Sequence, residues 1–275
     1  MPFLTNKSGK QPVDLFYQDY GTGKPVILVH GWPLSHQAWE GQIQSLLEAG
    51  HRVIAYDRRG FGLSSQPLEG YDYSSLASDL REIILQLDLQ EVSIVGFSMG
   101  GGEVVRYLTN YGPDRIAKAA LIASIIPLVA QKSDNPHGVP AEGLEEIMEA
   151  LKTNRVGFLK DFHKNFYNFE ENKDRLSEAN LDYDFSIASH ASPIATIKAA
   201  EAWAGTDFRQ ELKNVTVPTL IVHGDADNIV PIKTSGDQAA EGIANREYHI
   251  LKGAPHGLNL THREDLDKLL IEFLK

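Results

Sequence analysis

A strand-length apolar run at residues 92–95 leads directly into Gly96-Phe97-Ser98-Met99-Gly100, and a helical stripe of Val104, Val105, Leu108 and Tyr111 follows at once. A chain can make that junction only through a sharp turn with little side-chain bulk on either side, which Gly96 and Gly100 supply. Gly101 and Gly102 continue the small run, so the new helix can pack closely on the sheet. The turn carries Ser98 to the end of a strand and puts a helix N-terminus beside it, where backbone N–H groups face any negative charge that develops. A serine presented in this way reads as a nucleophile rather than as a turn residue.

The same alternation recurs along the chain. Apolar runs at 26–29, 53–56, 119–123, 219–222 and 248–251 are near-continuous, as in strands buried on both faces. Helical stripes lie between them, first Trp39, Ile43, Leu46 and Leu47, then Leu76, Leu80, Ile83, Ile84 and Leu87. Thr261 with Glu264 three residues on predicts a capped start to a last helix whose buried stripe is Leu266, Leu269, Leu270 and Phe273. The pattern predicts an α/β fold: a mostly parallel sheet with helices on both faces, entered through a strand near 13–20 and a turn at Gly21-Thr22-Gly23. Between about 127 and 205 the alternation stops, and the chain becomes helix-like with Phe158, Phe162, Phe166, Tyr167, Phe169 and Trp203. Nothing linker-like bounds that stretch. It reads as a helical lid, residues 127–205, inserted between sheet strands of a core made of 1–126 and 206–275.

Composition removes several classes of function. The chain has no cysteine, which excludes a thiol nucleophile, disulfides and thiolate metal sites. No His-Glu-x-x-His or other convincing metal cluster is visible, so neither metal nor cofactor is expected. Gly60-Phe61-Gly62 and Gly21-Thr22-Gly23 do not extend into a dinucleotide motif and read as turns. A formal net charge of -11 argues against a nucleic-acid partner, because phosphate neutralisation needs Lys and Arg. Residues 1–10 lack the apolar region of a secretory signal, and the longest apolar stretch, about 117–130, is broken by Lys118, Ser124 and Pro127. A cytoplasmic protein with no membrane partner is therefore expected.

A serine hydroxyl is a weak nucleophile without an adjacent base. Of the ten histidines, His256 in Ala254-Pro255-His256-Gly257 follows the last strand, at the sheet edge where Ser98 also sits. His30 and His223 also end strands and read as loop-shaping residues; His36, His51, His137, His163, His190, His249 and His262 read as solvated or packing residues. The acid that orients the base belongs on the loop after 219–222, which offers Asp225 and Asp227. Spacing alone leaves both open. The loop at His30-Gly31-Trp32-Pro33 enters the same edge, so the backbone N–H groups of Trp32 and Met99 are the expected oxyanion donors. Asp57-Arg58-Arg59 reads mainly as a source of structural ion pairs.

Together these residues resemble the α/β-hydrolase superfamily, and within it the cofactor-free bacterial haloperoxidases, also called perhydrolases, with their related aryl esterases and gamma-lactamase. The resemblance is carried by HGWPLSHQAWE, YDRRGFGLSSQP, VGFSMGGGEVVRY, DNPHGVP, FYNF, PTLIVHGDADNIVP and GAPHGLNLTH, which run from about His30 to His262. It implies Ser98, Asp227 and His256 as a catalytic triad, so that Asp227 rather than Asp225 is the acid. It also implies an acyl pocket lined by Trp32, Phe158, Phe162 and Ile229. The expected chemistry is two-step acyl transfer on small carboxylic esters, with hydrogen peroxide able to replace water and a halide then oxidised by the peracid. Amide or gamma-lactam hydrolysis would use the same triad. A non-catalytic ligand receptor on this fold is the reading of another class. The resemblance further implies a symmetric homo-oligomer.

Overall fold

Each apolar run becomes a strand of one eight-stranded sheet. In the computed structural model, which describes residues 2–275, the strands are β1 (Phe3–Asn6), β2 (Val13–Tyr20), β3 (Pro25–Val29), β4 (Arg52–Tyr56), β5 (Val92–Phe97), β6 (Ile116–Ile122), β7 (Thr219–Gly224) and β8 (Arg246–Leu251). Their order is β1-β2-β4-β3-β5-β6-β7-β8. β1 pairs antiparallel with β2 and β2 with β4; every pairing from β4 across to β8 is parallel. β1 has no counterpart among the runs read from sequence. Its four residues become a strand through pairing with β2, from Phe3 with Phe16 to Asn6 with Val13.

The helices are α1 (Glu40–Glu48), α2 (Tyr73–Gln86), α3 (Met99–Tyr111), α4 (Ala141–Phe166), α5 (Glu178–Ser189), α6 (Pro193–Gly205), α7 (Gly236–Gly242), α8 (Leu258–Thr261) and α9 (Arg263–Leu274). α2 and α3 cover one face of the sheet, α1 and α9 the other. Successive strand residues point to opposite faces. Thus Ile27 and Val29 join a buried cluster with Leu76, Leu80, Val104 and Leu108, while Val26 and Leu28 join a second cluster with Trp39, Leu46, Leu266 and Leu270. Two covered faces are the physical reason that the runs of β3 to β7 are continuous rather than alternating; the run at 248–251 departs from that expectation, because β8 is the sheet edge and is exposed or half-buried along its length.

The end of the chain departs from its sequence pattern. Where Thr261 and Glu264 predict one capped start, α8 and α9 are separate helices joined at His262. The Thr261 hydroxyl donates to the Gly257 carbonyl at 3.3 Å and lies 3.0 Å from His262 Nδ1, so it is not available as a cap.

Between β6 and β7, α4, α5 and α6 occupy the stretch that breaks the alternation. α4 kinks at Asn154, whose backbone is non-helical and whose Oδ1 accepts the Gly157 N–H at 3.1 Å. Leu151, Leu159, Ala188, Ala195, Ala199 and Trp203 belong to the same apolar cluster as α2 and α3, so the stretch shares the core of the sheet. Among the described residues, no helix is long and apolar enough to cross a membrane.

The functional edge follows from topology. The chain goes from β3 to β4 on one side, then crosses back over β3 to β5 on the other. Loops leaving the carboxyl ends of β3 and β5 diverge there and open a crevice. Helix α3 must start close against that edge. A Cβ on Gly100 would stand 2.4 Å from the Val29 carbonyl oxygen. Gly100→Ala is therefore expected to lose about 1–3 kcal/mol of unfolding free energy, because α3 has to move off β3. Denaturant unfolding measures it; unchanged stability would mean that α3 can shift without loss.

Candidate active site

Ser98 sits at the turn from β5 to α3 with φ 52° and ψ −117°, a conformation that L-residues adopt at a cost of about 1–3 kcal/mol. Its neighbours hold it there. The Ser98 N–H donates to Ile122 O at 2.9 Å, and the Ser98 carbonyl accepts from Gly101 N at 3.1 Å and from Ile125 N at 3.3 Å. Both backbone groups are tied to the end of β6 and the first turn of α3, so the side chain is held on the crevice side.

His256 lies on the loop between β8 and α8, and its imidazole is clamped by two aromatic rings. Phe97 is 5.4 Å away and tilted by 33°, while Phe166 meets it edge-on at 4.9 Å. The Gly257 N–H donates to Phe166 O at 2.9 Å, fastening this loop to the end of α4. His256 Nε2 is 2.8 Å from Ser98 Oγ, and His256 Nδ1 is 2.7 Å from Asp227 Oδ2. A carboxylate can only accept, so Nδ1 carries the proton and Nε2 is free to accept from the serine hydroxyl.

Asp227 is on the loop after β7, buried, with two nitrogen partners at each carboxylate oxygen. Oδ1 accepts the N–H groups of Ile229 at 2.9 Å and Val230 at 2.8 Å; Oδ2 faces His256 Nδ1 and, at 3.1 Å, His223 Nε2. Burial alone would push this carboxyl up, but His256 and His223 outweigh it and hold the group well below the usual carboxylate range. A depressed folded-state value contributes stability above the ordinary carboxylate range, and that contribution is lost as pH falls through the folded value. Asp225, two residues earlier, is exposed and accepts the Gly253 N–H at 2.6 Å. The structure brings Asp227, not Asp225, to His256.

The loop after β3 approaches from the other side. A Cβ on Gly31 would lie 3.2 Å from Ser98 Cβ, so the backbone next to Trp32 runs against the serine. The Gly31 carbonyl is held by Leu34 N at 3.1 Å and by His30 Nδ1 at 2.8 Å. Burial, and then the Arg58 guanidinium, keep His30 well below the ordinary histidine range. It is a neutral loop-shaping group, as its place at a strand end predicts. Among the hydrogen bonds of the described residues, neither the Trp32 N–H nor the Met99 N–H has a protein acceptor. Met99 opens α3, and first-turn amides of a helix have no partner within it.

Asp57, Arg58 and Arg59 make no hydrogen bond to Ser98, His256 or Asp227, and Arg58 reaches the neighbouring loop only through His30. Asp57 accepts the backbone N–H and Nδ1 of His36 and the N–H of Leu63; Arg58 pairs with Glu103, and Arg59 with Asp79 at 2.6 Å.

The aromatic residues of α4 form a file toward the site. Phe158 neighbours Phe162 at 5.7 Å between ring centroids, Phe162 meets Trp32 edge-on at 5.4 Å, and Phe166 continues the file to His256. The Trp32 indole N–H donates to Thr196 O at 2.9 Å, tying its ring to α6. Phe158, Phe162 and Ile229 are half-buried. Several contacts were not legible from the chain: the two-ring clamp of Phe97 and Phe166, the His223–Asp227 contact, and Asn168. Asn168 follows α4 and donates to Ala226 O at 2.7 Å, while Asn228 donates to its Oδ1 at 3.0 Å. The end of α4 is thus fixed to the Asp227 loop as well as to the His256 loop.

The alpha/beta hydrolase fold family model matches residues 24–263. The chain is 37% identical over 276 residues to the non-heme chloroperoxidase CPO-A1 of Kitasatospora aureofaciens, covering 100% of this chain and 99% of that one. It is also 37% identical over 278 residues to the bifunctional esterase/perhydrolase DCH of Acinetobacter calcoaceticus, with both chains covered in full. Among solved structures, the bromoperoxidase from Bacillus anthracis superposes with a TM-score of 0.95 at 44% identity, covering 99% of each chain. On this footing the chain belongs to the α/β-hydrolase fold family, in the company of non-heme haloperoxidases and esterase/perhydrolases.

Proposed function

We propose that this protein is a serine hydrolase of small carboxylic esters that also transfers its acyl group to hydrogen peroxide. The observation that carries the reading is the continuous buried chain from Ser98 Oγ through His256 to Asp227, with contacts of 2.8 and 2.7 Å. Ser98 Oγ attacks the ester carbonyl as its proton passes to His256 Nε2. Asp227 holds the imidazole and stabilises its charged form. The oxyanion forms beside the N–H groups of Met99 and Trp32, and collapse expels the alcohol with the proton from His256. Water then attacks the acyl-enzyme with His256 as base and releases the carboxylic acid. When hydrogen peroxide attacks instead, the product is a peracid, which oxidises bromide to hypobromous acid and becomes the carboxylate.

The same reading treats α4 to α6 as a lid, with Trp32, Phe158, Phe162 and Ile229 forming an acyl pocket suited to small apolar groups. The esterase/perhydrolase and haloperoxidase relatives support the substrate class.

The test is hydrolysis of p-nitrophenyl acetate and butyrate, with dye bromination in acetate, peroxide and bromide. Ester turnover together with bromination that requires all three is the expected result. Turnover without bromination would leave an esterase alone, and turnover of a gamma-lactam with the esters untouched would replace the reading by amide hydrolysis.

A further inference from the structure

His223 is the penultimate residue of β7, four residues before Asp227, and is fully buried. Its Nε2 stands 3.0 Å from the Val230 carbonyl oxygen and 3.1 Å from Asp227 Oδ2. A peptide carbonyl and a carboxylate can only accept, so Nε2 carries the ring proton and shares it between them. Ser235 Oγ, 3.4 Å away, donates instead to Pro231 O at 2.8 Å and does not compete. Tyr248 approaches the same face, its hydroxyl 3.1 Å from where a Cβ on Gly236 would stand, and it donates to Asp237 at 2.7 Å. Gly236 packs closely on the base of the His223 side chain: a Cβ there would lie 2.9 Å from His223 Cβ and 3.1 Å from its Cγ.

We propose that His223 is a positioning residue for the catalytic acid: its Nε2–H donates to the same carboxylate oxygen that holds His256. It acts in two ways. Through Val230, whose N–H binds Asp227 Oδ1 and whose carbonyl receives His223, it sets the plane of the carboxylate. Through Oδ2 it draws off part of the negative charge that would otherwise stabilise protonated His256. A carboxylate with one donor fewer is a stronger partner for an imidazolium. Removing the donor should therefore make His256 protonate at higher pH, and the acid limb of kcat/KM should move up with it. This inference rests on the proposed triad.

The experiment compares His223→Leu, His223→Gln and His223→Asn in the full-length protein with p-nitrophenyl acetate. The Gln amide nitrogen can occupy the place of Nε2, whereas that of Asn falls near Nδ1 and cannot reach Asp227. Expected are a fall in kcat of about tenfold or more for Leu and Asn with KM within about twofold, and an acid limb raised by roughly 0.5 pH unit. His223→Gln should restore most of both. If Leu does not fold, the ordering of Gln above Asn carries the test. An acid limb that stays in place in every folded variant, or Gln no better than Asn, overturns the proposal and leaves His223 a packing residue. An NMR titration of the His256 ring in Ser98→Ala, with and without His223→Gln or His223→Asn, reads the same effect without turnover. A wild type inactive on every ester, with the His256 titration still moving upward in Asn, would sink the proposed function and keep this inference.

Discussion

Ser98→Ala is expected to lower kcat for p-nitrophenyl acetate by about 10⁴–10⁶-fold, with KM changed little and dye bromination lost in parallel. The size follows from what remains. Without Oγ, His256 has no proton to take, and water must attack the ester with only the oxyanion donors and binding to help, which leaves roughly 10³–10⁴-fold over the uncatalysed reaction. Stability should barely change. Alanine keeps the Cβ that already sits at φ 52°, and the backbone bonds to Ile122, Gly101 and Ile125 are untouched. The variant is therefore a clean separation of chemistry from folding. Steady-state kinetics beside a thermal unfolding scan checks both halves. More than about 1% of wild-type kcat in a correctly folded variant would remove Ser98 from the mechanism, whatever its distance from His256.

The second large effect lies beneath the site and is one of stability. Arg58 is buried at 1% exposure with its Nε donating to Glu103 Oε1 at 2.5 Å and its Nη2 to the His30 carbonyl at 2.6 Å. Tyr56 completes the group by donating its hydroxyl to Glu103 Oε2 at 2.6 Å. Burial pushes the Glu103 carboxyl up, and Arg58, with the hydrogen bonds from Tyr56 and Arg58, works against that. Arg58→Met strands the carboxylate in a medium that cannot solvate it. The expected loss is about 3–5 kcal/mol at pH 7, with part recovered at lower pH as Glu103 protonates. Arg58→Met with Glu103→Leu should recover most of the rest, because no uncompensated charge then remains. Urea unfolding of wild type, single and double variants at two pH values measures each part. Equal losses in the single and double variants would show that packing, not the stranded charge, sets the effect.

Arg58 also links the core to the loop after β3. Its backbone N–H donates to His30 Nε2 at 3.0 Å, which leaves His30 Nδ1 to hold the Gly31 carbonyl. The peptide unit that contains this carbonyl also contains the Trp32 N–H. Its orientation is therefore set by a buried chain from Glu103 to Arg58 to His30.

Much of this molecule can be read along the chain. Buried parallel strands are nearly uniform in apolarity because helices cover both of their faces, so β3 to β7 stand out as unbroken runs, while the run in β8 lies on a more exposed edge strand. The turn at Ser98 is equally legible, since the crowding between α3 and β3 that Gly100 relieves admits no side chain. The positions of His256 and of the Asp225/Asp227 pair follow from where strands end. Other features depend on groups far away in sequence. β1 is a strand through its register with β2, and α8 separates from α9 because the Thr261 hydroxyl finds Gly257 and His262. Arg58 reads from the chain as an ion-pair residue, but its partner Glu103, 45 residues on, is brought against it only by the fold.

The division has a physical origin. Periodicity, turn chemistry and close-approach glycines act between residues near in sequence, so the chain by itself determined the sheet, its helices, the elbow and the strand ends that supply a serine, a histidine and an acid. Hydrogen-bond direction within a buried carboxylate depends on loop paths that only packing selects. Tertiary structure therefore decided that Asp227 turns inward to His256 while Asp225 turns out to Gly253, that Phe97 and Phe166 grip the imidazole, and that His223 shares the acid.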